Sequence, residues 1–171
     1  MSYIYRSKGT TEQRAERDKQ RLTRGLLTYR KAIAGRSARL TALRSRMEQE
    51  IAQAIWDDVA VRTVASAAGI TVARARSVAL AFEDLPHSGT AAESHVKTLR
   101  ALAEHTGRLK AEQEELLRLQ EPLVVTALES GIQNTPWIAA ISGLTIDRVN
   151  ILAQQTRRNA SNLGQAAEAQ T

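Results

Sequence analysis

The chain has 171 residues, no cysteine, a net charge of +6 and 4% aromatic residues. The missing Cys exclude a disulfide framework, a thiolate metal site and a thiol nucleophile. The Ala-, Leu-, Ile- and Val-rich composition favours helices over a β-sandwich. No apolar run reaches the ~18 residues of a membrane span, and MSYIYRSKGT lacks the apolar stretch of a signal peptide. The expectation is a soluble, cytoplasmic, all-α protein that needs no cofactor.

The charge is uneven. Residues 1–46 hold thirteen Lys or Arg against three acids, a net +10, so the remaining body sums to −4. A basic block ahead of a mildly acidic body fits a polyanion-binding arm.

In chain order, a helix is expected from near Thr10, where Thr10 and Gln13 fit a capping box. Leu22, Leu26, Tyr29 and Ile33 make its apolar face, and Arg14, Arg17, Arg21 and Arg24 form a second stripe. Gly35 is expected to end or hinge this helix. A second helix follows from about Ser37 to Val59, with Leu40, Leu43, Met47, Ile51 and Ala54 on one seam. EDLPHSGTAAES is a linker that ends in a second capping box, Thr90 to Glu93. A third helix carries Leu99, Leu102, Leu109 and Leu116 and is kinked or restarted at Pro122. Thr135-Pro136 reads as an N-cap followed by Pro at the first helical position. The end, from about Ser161, reads as a polar tail.

Two stretches share one pattern: VASAAGITVARARSVA (residues 64–79) and IAAISGLTIDRVNILA (residues 138–153). Gly69 and Gly143 can take positive φ and turn the chain. Thr71 and Thr145 follow where the next helix needs an N-cap. Ala65 and Ala139 permit close helix approach. Each stretch resembles the helix-turn-helix of bacterial DNA-binding proteins. The first matches it at Val64, Ala65, Ala68, Gly69, Ile70, Ala75 and Val78. The second matches at Ile138, Ala139, Gly143, Leu144, Val149 and Leu152, with Ser142 as the polar substitution.

The resemblance implies that the second helix of each pair enters a major groove of double-stranded DNA. The implied contacts are Thr71, Val72, Ala73, Arg74, Arg76 and Ser77 in the first unit, with Arg62 at its entry. In the second they are Thr145, Ile146, Arg148, Asn150 and Gln154, followed by Arg157 and Arg158; Asp147 is awkward beside phosphates. Arg14, Arg17, Arg21 and Arg24 add sequence-independent contacts. Helical hairpins used only for packing imitate the same pattern.

His87, His95 and His105 are too widely spaced for a common metal motif and read as surface or linker residues. Asp57-Asp58, Glu112 and Glu114-Glu115 read as solvated faces or as partners for Arg and Lys. Trp56 and Trp137 read as core anchors. The expected organisation is a basic arm (1–36), a long helix with the first helix-turn-helix (37–82), a linker (83–93), a long helix with the second (94–160) and a flexible tail (161–171).

The expected fold is all-α, with two helix-turn-helix modules joined by long coiled-coil-like helices. These helices also offer a homo-oligomer interface. The expected function is non-enzymatic and nucleoid-associated, in transcriptional regulation or DNA architecture. The alternative is a helical structural or adaptor protein, or a phage DNA-packaging recognition subunit, acting through its long helices.

Overall fold

The computed structural model describes residues 11–82, 85–131 and 134–168, with side chains as far as residue 158. Thr10 of the first expected capping box lies outside the described residues. Those residues form an all-α fold. Its elements are α1 (Thr11–Trp56), α2 (Val61–Ala68), α3 (Val72–Leu80), α4 (Ala92–Glu129), α5 (Thr135–Ser142) and α6 (Ile146–Glu168). No helix among the described residues is long and apolar enough to cross a membrane.

The chain divides into two compact units, and neither follows the expected split into a basic arm and two successive modules. One unit takes residues 34–114, so it holds the C-terminal part of α1, the pair α2–α3 and the start of α4. The other takes residues 1–33 and 115–171, hence the start of α1, the end of α4 and the pair α5–α6. Each unit is therefore two stretches of long helix around one short helical pair.

Several local expectations are corrected. Gly35 does not end a helix, because α1 runs unbroken past it and past Gly25. A helical Gly costs only about 1 kcal/mol relative to Ala, which the rest of a 46-residue helix offsets. Gly25 also admits close approach: a Cβ there would stand 3.3 Å from Leu123 Cδ1. Helix α1 ends instead at Trp56, and in the turn that follows Asp58 takes φ of 64°. The amide of Val59 donates to Ala54 O and that of Asp58 to Ile55 O, so the terminal carbonyls are satisfied by a Schellman turn.

Helix α4 does not restart at Pro122, which lies inside it. The N-cap of α5 is Asn134, not Thr135: the Asn134 side chain accepts from the amide of Trp137, and Pro136 falls within the first turn. Thr90 does not cap α4, which begins at Ala92; its hydroxyl instead lies 2.8 Å from Ser88 Oγ in the preceding loop. Trp56 is not a core anchor, being 37% exposed. Trp137 does pack against a core.

The two cores are built on one register. In the unit of residues 34–114, Ile51, Ala54, Val64, Ala65, Ala68, Ala75, Val78 and Leu99 are buried together. In the other, Val124, Ala127, Ile138, Ala139, Val149, Leu152 and Leu26 occupy corresponding places. Leu26 and Leu99 are both fully buried. Burying a leucine completely contributes about 1.5–3 kcal/mol, so the basic N-terminal helix is also a structural part of its unit.

Candidate nucleic-acid interface

Each short pair turns at a left-handed glycine, Gly69 at φ 67° and Gly143 at φ 74°. The two turns close differently. After α2, Ile70 N donates to Ala65 O and Gly69 N to Ser66 O, a backbone-only Schellman closure. After α5, Gly143 N donates to Ala139 O, while the amide of Leu144 donates to Ser142 Oγ. Neighbouring helices serve two more carbonyls at that end. Arg30 donates to Ala140 O at 2.6 Å and Gln120 Nε2 to Ser142 O at 2.8 Å. Ser142, the polar departure from the sequence pattern, is thus the residue that ends α5. Gln120 is fully buried, and its Oε1 has no hydrogen-bond partner among the described residues.

The hydroxyls of Thr71 and Thr145 accept from the amides of Arg74 and Arg148, each at 3.2 Å, so both threonines start the second helix as expected. On α3, Ala75, Val78 and Ala79 are buried, whereas Ala73, Arg74, Arg76 and Ser77 are exposed and Val72 is half-buried. Leu80 on the same helix is 81% exposed. On α6, Val149 and Leu152 are buried, while Ile146, Asp147, Arg148, Asn150, Gln154, Arg157 and Arg158 are exposed. Thr71, Thr145 and Arg62 are exposed as well.

Two expected contact arginines already have partners. Arg74 forms a 2.8 Å ion pair with Glu48 on α1. Arg148, at the same place after its glycine, pairs with Glu121 on α4. Each pair ties the second helix of a short pair to the long helix that precedes it in sequence. With side chains 58% and 32% exposed, the Arg74–Glu48 pair stabilises by only ~0.2–1 kcal/mol. Among the described residues, no ion pair engages Arg62 or Arg76.

Arg14, Arg17, Arg21 and Arg24 are all exposed on α1. Arg17, Arg21 and Arg24 surround a shallow hollow with Gln20, Thr28 and Tyr29.

Sequence reasoning missed a buried charged cluster. His95 is not a surface histidine: it is 2% exposed, with Nδ1 2.7 Å from Glu50 Oε1 and Nε2 2.9 Å from Asp57 Oδ2. Asp57 is not a solvated acid, since its side chain is 5% exposed. The Ser88 hydroxyl holds its carboxyl well below the ordinary range against the opposing effect of burial, helped by the Ser88 amide, His95 and Gln53. No sequence signal marked the cluster, because its members lie on the end of α1, the loop and the start of α4. Among the described residues, no group of His, Cys, Asp and Glu could hold a metal ion.

Compared with protein-family models, curated proteins and solved structures, the chain matches none.

Proposed function

We propose that this chain is a non-enzymatic DNA-binding protein, a transcriptional regulator or an architectural protein, in which α3 and α6 each enter a major groove. The observation that carries this reading is the repeated exposed outer face of the second helix, with Arg74 and Arg76 on α3 and Arg148 and Asn150 on α6, set by a left-handed glycine turn and a threonine cap. Arg76 and Arg62 are the side chains to bind a base edge or a phosphate in the first unit, and Ala73 and Ser77 admit close approach. Arg74 meets DNA only by sharing or leaving Glu48. In the second unit Asn150 and Gln154 suit adenine, and Arg157 and Arg158 suit phosphates. Arg14, Arg17, Arg21 and Arg24 supply salt-dependent affinity.

A gel shift with genomic fragments, repeated across salt concentrations, tests this. Binding whose affinity falls with salt, and which R62A/R76A weakens, supports it. Absence of any retarded species at low salt overturns it.

The second reading is an adaptor whose short pairs bind protein. The two arginine–glutamate pairs favour it, since they assign a packing role to residues that a DNA reader needs outward. Under that reading R62A/R76A leaves function intact.

A further inference from the structure

The two units differ around the glycine turn in a way that the DNA-binding reading does not use. At Gly143 the aliphatic part of Arg30 covers the turn, with Cγ 3.1 Å and Cδ 3.5 Å from a Cβ built there. At Gly69 nothing among the described residues lies within 4 Å of the same position. The register that pairs Leu26 with Leu99, and Ile51 with Val124, pairs Arg30 with Ala103. The long side chain that fills the turn of one unit is a methyl group in the other.

The space left is a cavity of about 530 Å³. Leu40, Met47, Ile51, Ile70, Val78 and Ala103 supply its apolar walls. Its charged groups are Arg44, Glu48, Arg74 and Lys110, with Thr41 and Thr106 between them. Glu48 is neutralised by Arg74. Arg44 and Lys110 are exposed and have no ion-pair partner among the described residues. The cavity therefore offers an apolar interior and a surplus of two positive charges. Its size falls within the ~300–1,000 Å³ of small-molecule sites.

We propose that this cavity, built on α1, the turn at Gly69, α3 and α4, binds a small amphipathic carboxylate. The apolar body lies against Met47, Ile51, Ile70 and Ala103, and the carboxylate is held by Arg44 and Lys110. Charge complementarity selects an anion: a neutral apolar ligand leaves both cations uncompensated, and a cation meets two like charges.

Calorimetric titration of the full-length protein with decanoate and with naphthalene-2-carboxylate, each against its neutral alcohol, tests the site. The expected result is saturable binding of at least one carboxylate with one site per chain, and at least tenfold weaker binding of its alcohol. Ala103→Arg copies the filling seen at Gly143 and should abolish binding. Arg44→Ala with Lys110→Ala leaves the apolar walls intact and should weaken carboxylate binding at least tenfold while leaving alcohol binding unchanged. This second variant keeps the test decisive if Ala103→Arg fails to fold by circular dichroism. Failure of both carboxylates to saturate, equal binding of acid and alcohol, or a folded Ala103→Arg protein that binds like the parent overturns the proposal.

Discussion

Arg74 reaches from α3 to Glu48 on α1, and Arg148 makes the same reach from α6 to Glu121 on α4. The repetition means that the arginine after each glycine turn helps fix its helix before any partner arrives. Glu48→Gln weakens that tie and releases the Arg74 guanidinium. The expected stability loss is at most ~1 kcal/mol, accompanied by tighter DNA binding. A denaturant melt and a gel shift on the same variant check both; weaker DNA binding by a stable Glu48→Gln protein removes Arg74 from the interface.

Arg76 is the sharper test of the reading helix, because no ion pair among the described residues ties it down. Arg76→Ala should cost ~1–3 kcal/mol of specific DNA affinity if it makes one bidentate base contact. Helicity should be unchanged, since α3 buries Ala75, Val78 and Ala79 instead. Unaltered affinity in a gel shift contradicts the assignment.

The basic segment has to be tested by neutralisation, not removal. Leu26 is fully buried and Arg30 holds the end of α5, so truncating this helix damages a core. Replacing Arg14, Arg17, Arg21 and Arg24 by Gln keeps the helix and removes exposed charge. The salt dependence of DNA binding should flatten by ~0.9 in log–log slope for each phosphate that is no longer neutralised. An unchanged slope places the phosphate-binding groups elsewhere.

The glycine turns should respond unequally to Ala. Both positions need positive φ, which costs a non-glycine residue roughly 1–2 kcal/mol. Gly143→Ala also brings a methyl group to 3.1 Å from Arg30 Cγ, whereas Gly69→Ala meets open space. Gly143→Ala should therefore be the more destabilising by urea denaturation. Equal losses would mean that Arg30 moves aside freely.

Acid should destabilise the protein through Asp57. Its carboxyl is held below the ordinary carboxylate range in the fold. Its contribution is thus complete above that range and is lost as pH falls from about 4 toward the lowered folded value. Asp57→Asn should remove this part of the pH dependence and leave His95 with one carboxylate, Glu50. Thermal melts from pH 7 to pH 3 compare the two proteins; parallel acid losses would clear Asp57 of the effect.

Much of this protein was legible in the chain itself, because the deciding signals are local. Apolar spacing placed Leu26, Ile51 and Leu99 on buried faces, and Gly-x-Thr located both turns and both threonine caps. Helix ends were read less well. Gly35 and Pro122 disfavour a helix intrinsically, yet each lies within a long helix whose neighbours outweigh one weak position. Asn134 took the cap from Thr135 because its carboxamide reaches the Trp137 amide. What only the tertiary structure decided are the relations between segments far apart in sequence. His95 became buried when α1 and α4 packed, with Glu50 and Asp57 facing its two ring nitrogens. Arg30 filled one glycine turn while Ala103 left the other open. Arg74 and Arg148 found glutamates on the long helices. Periodicity fixes which face of a helix is apolar, but which charge meets which depends on distances that exist only after the helices have packed.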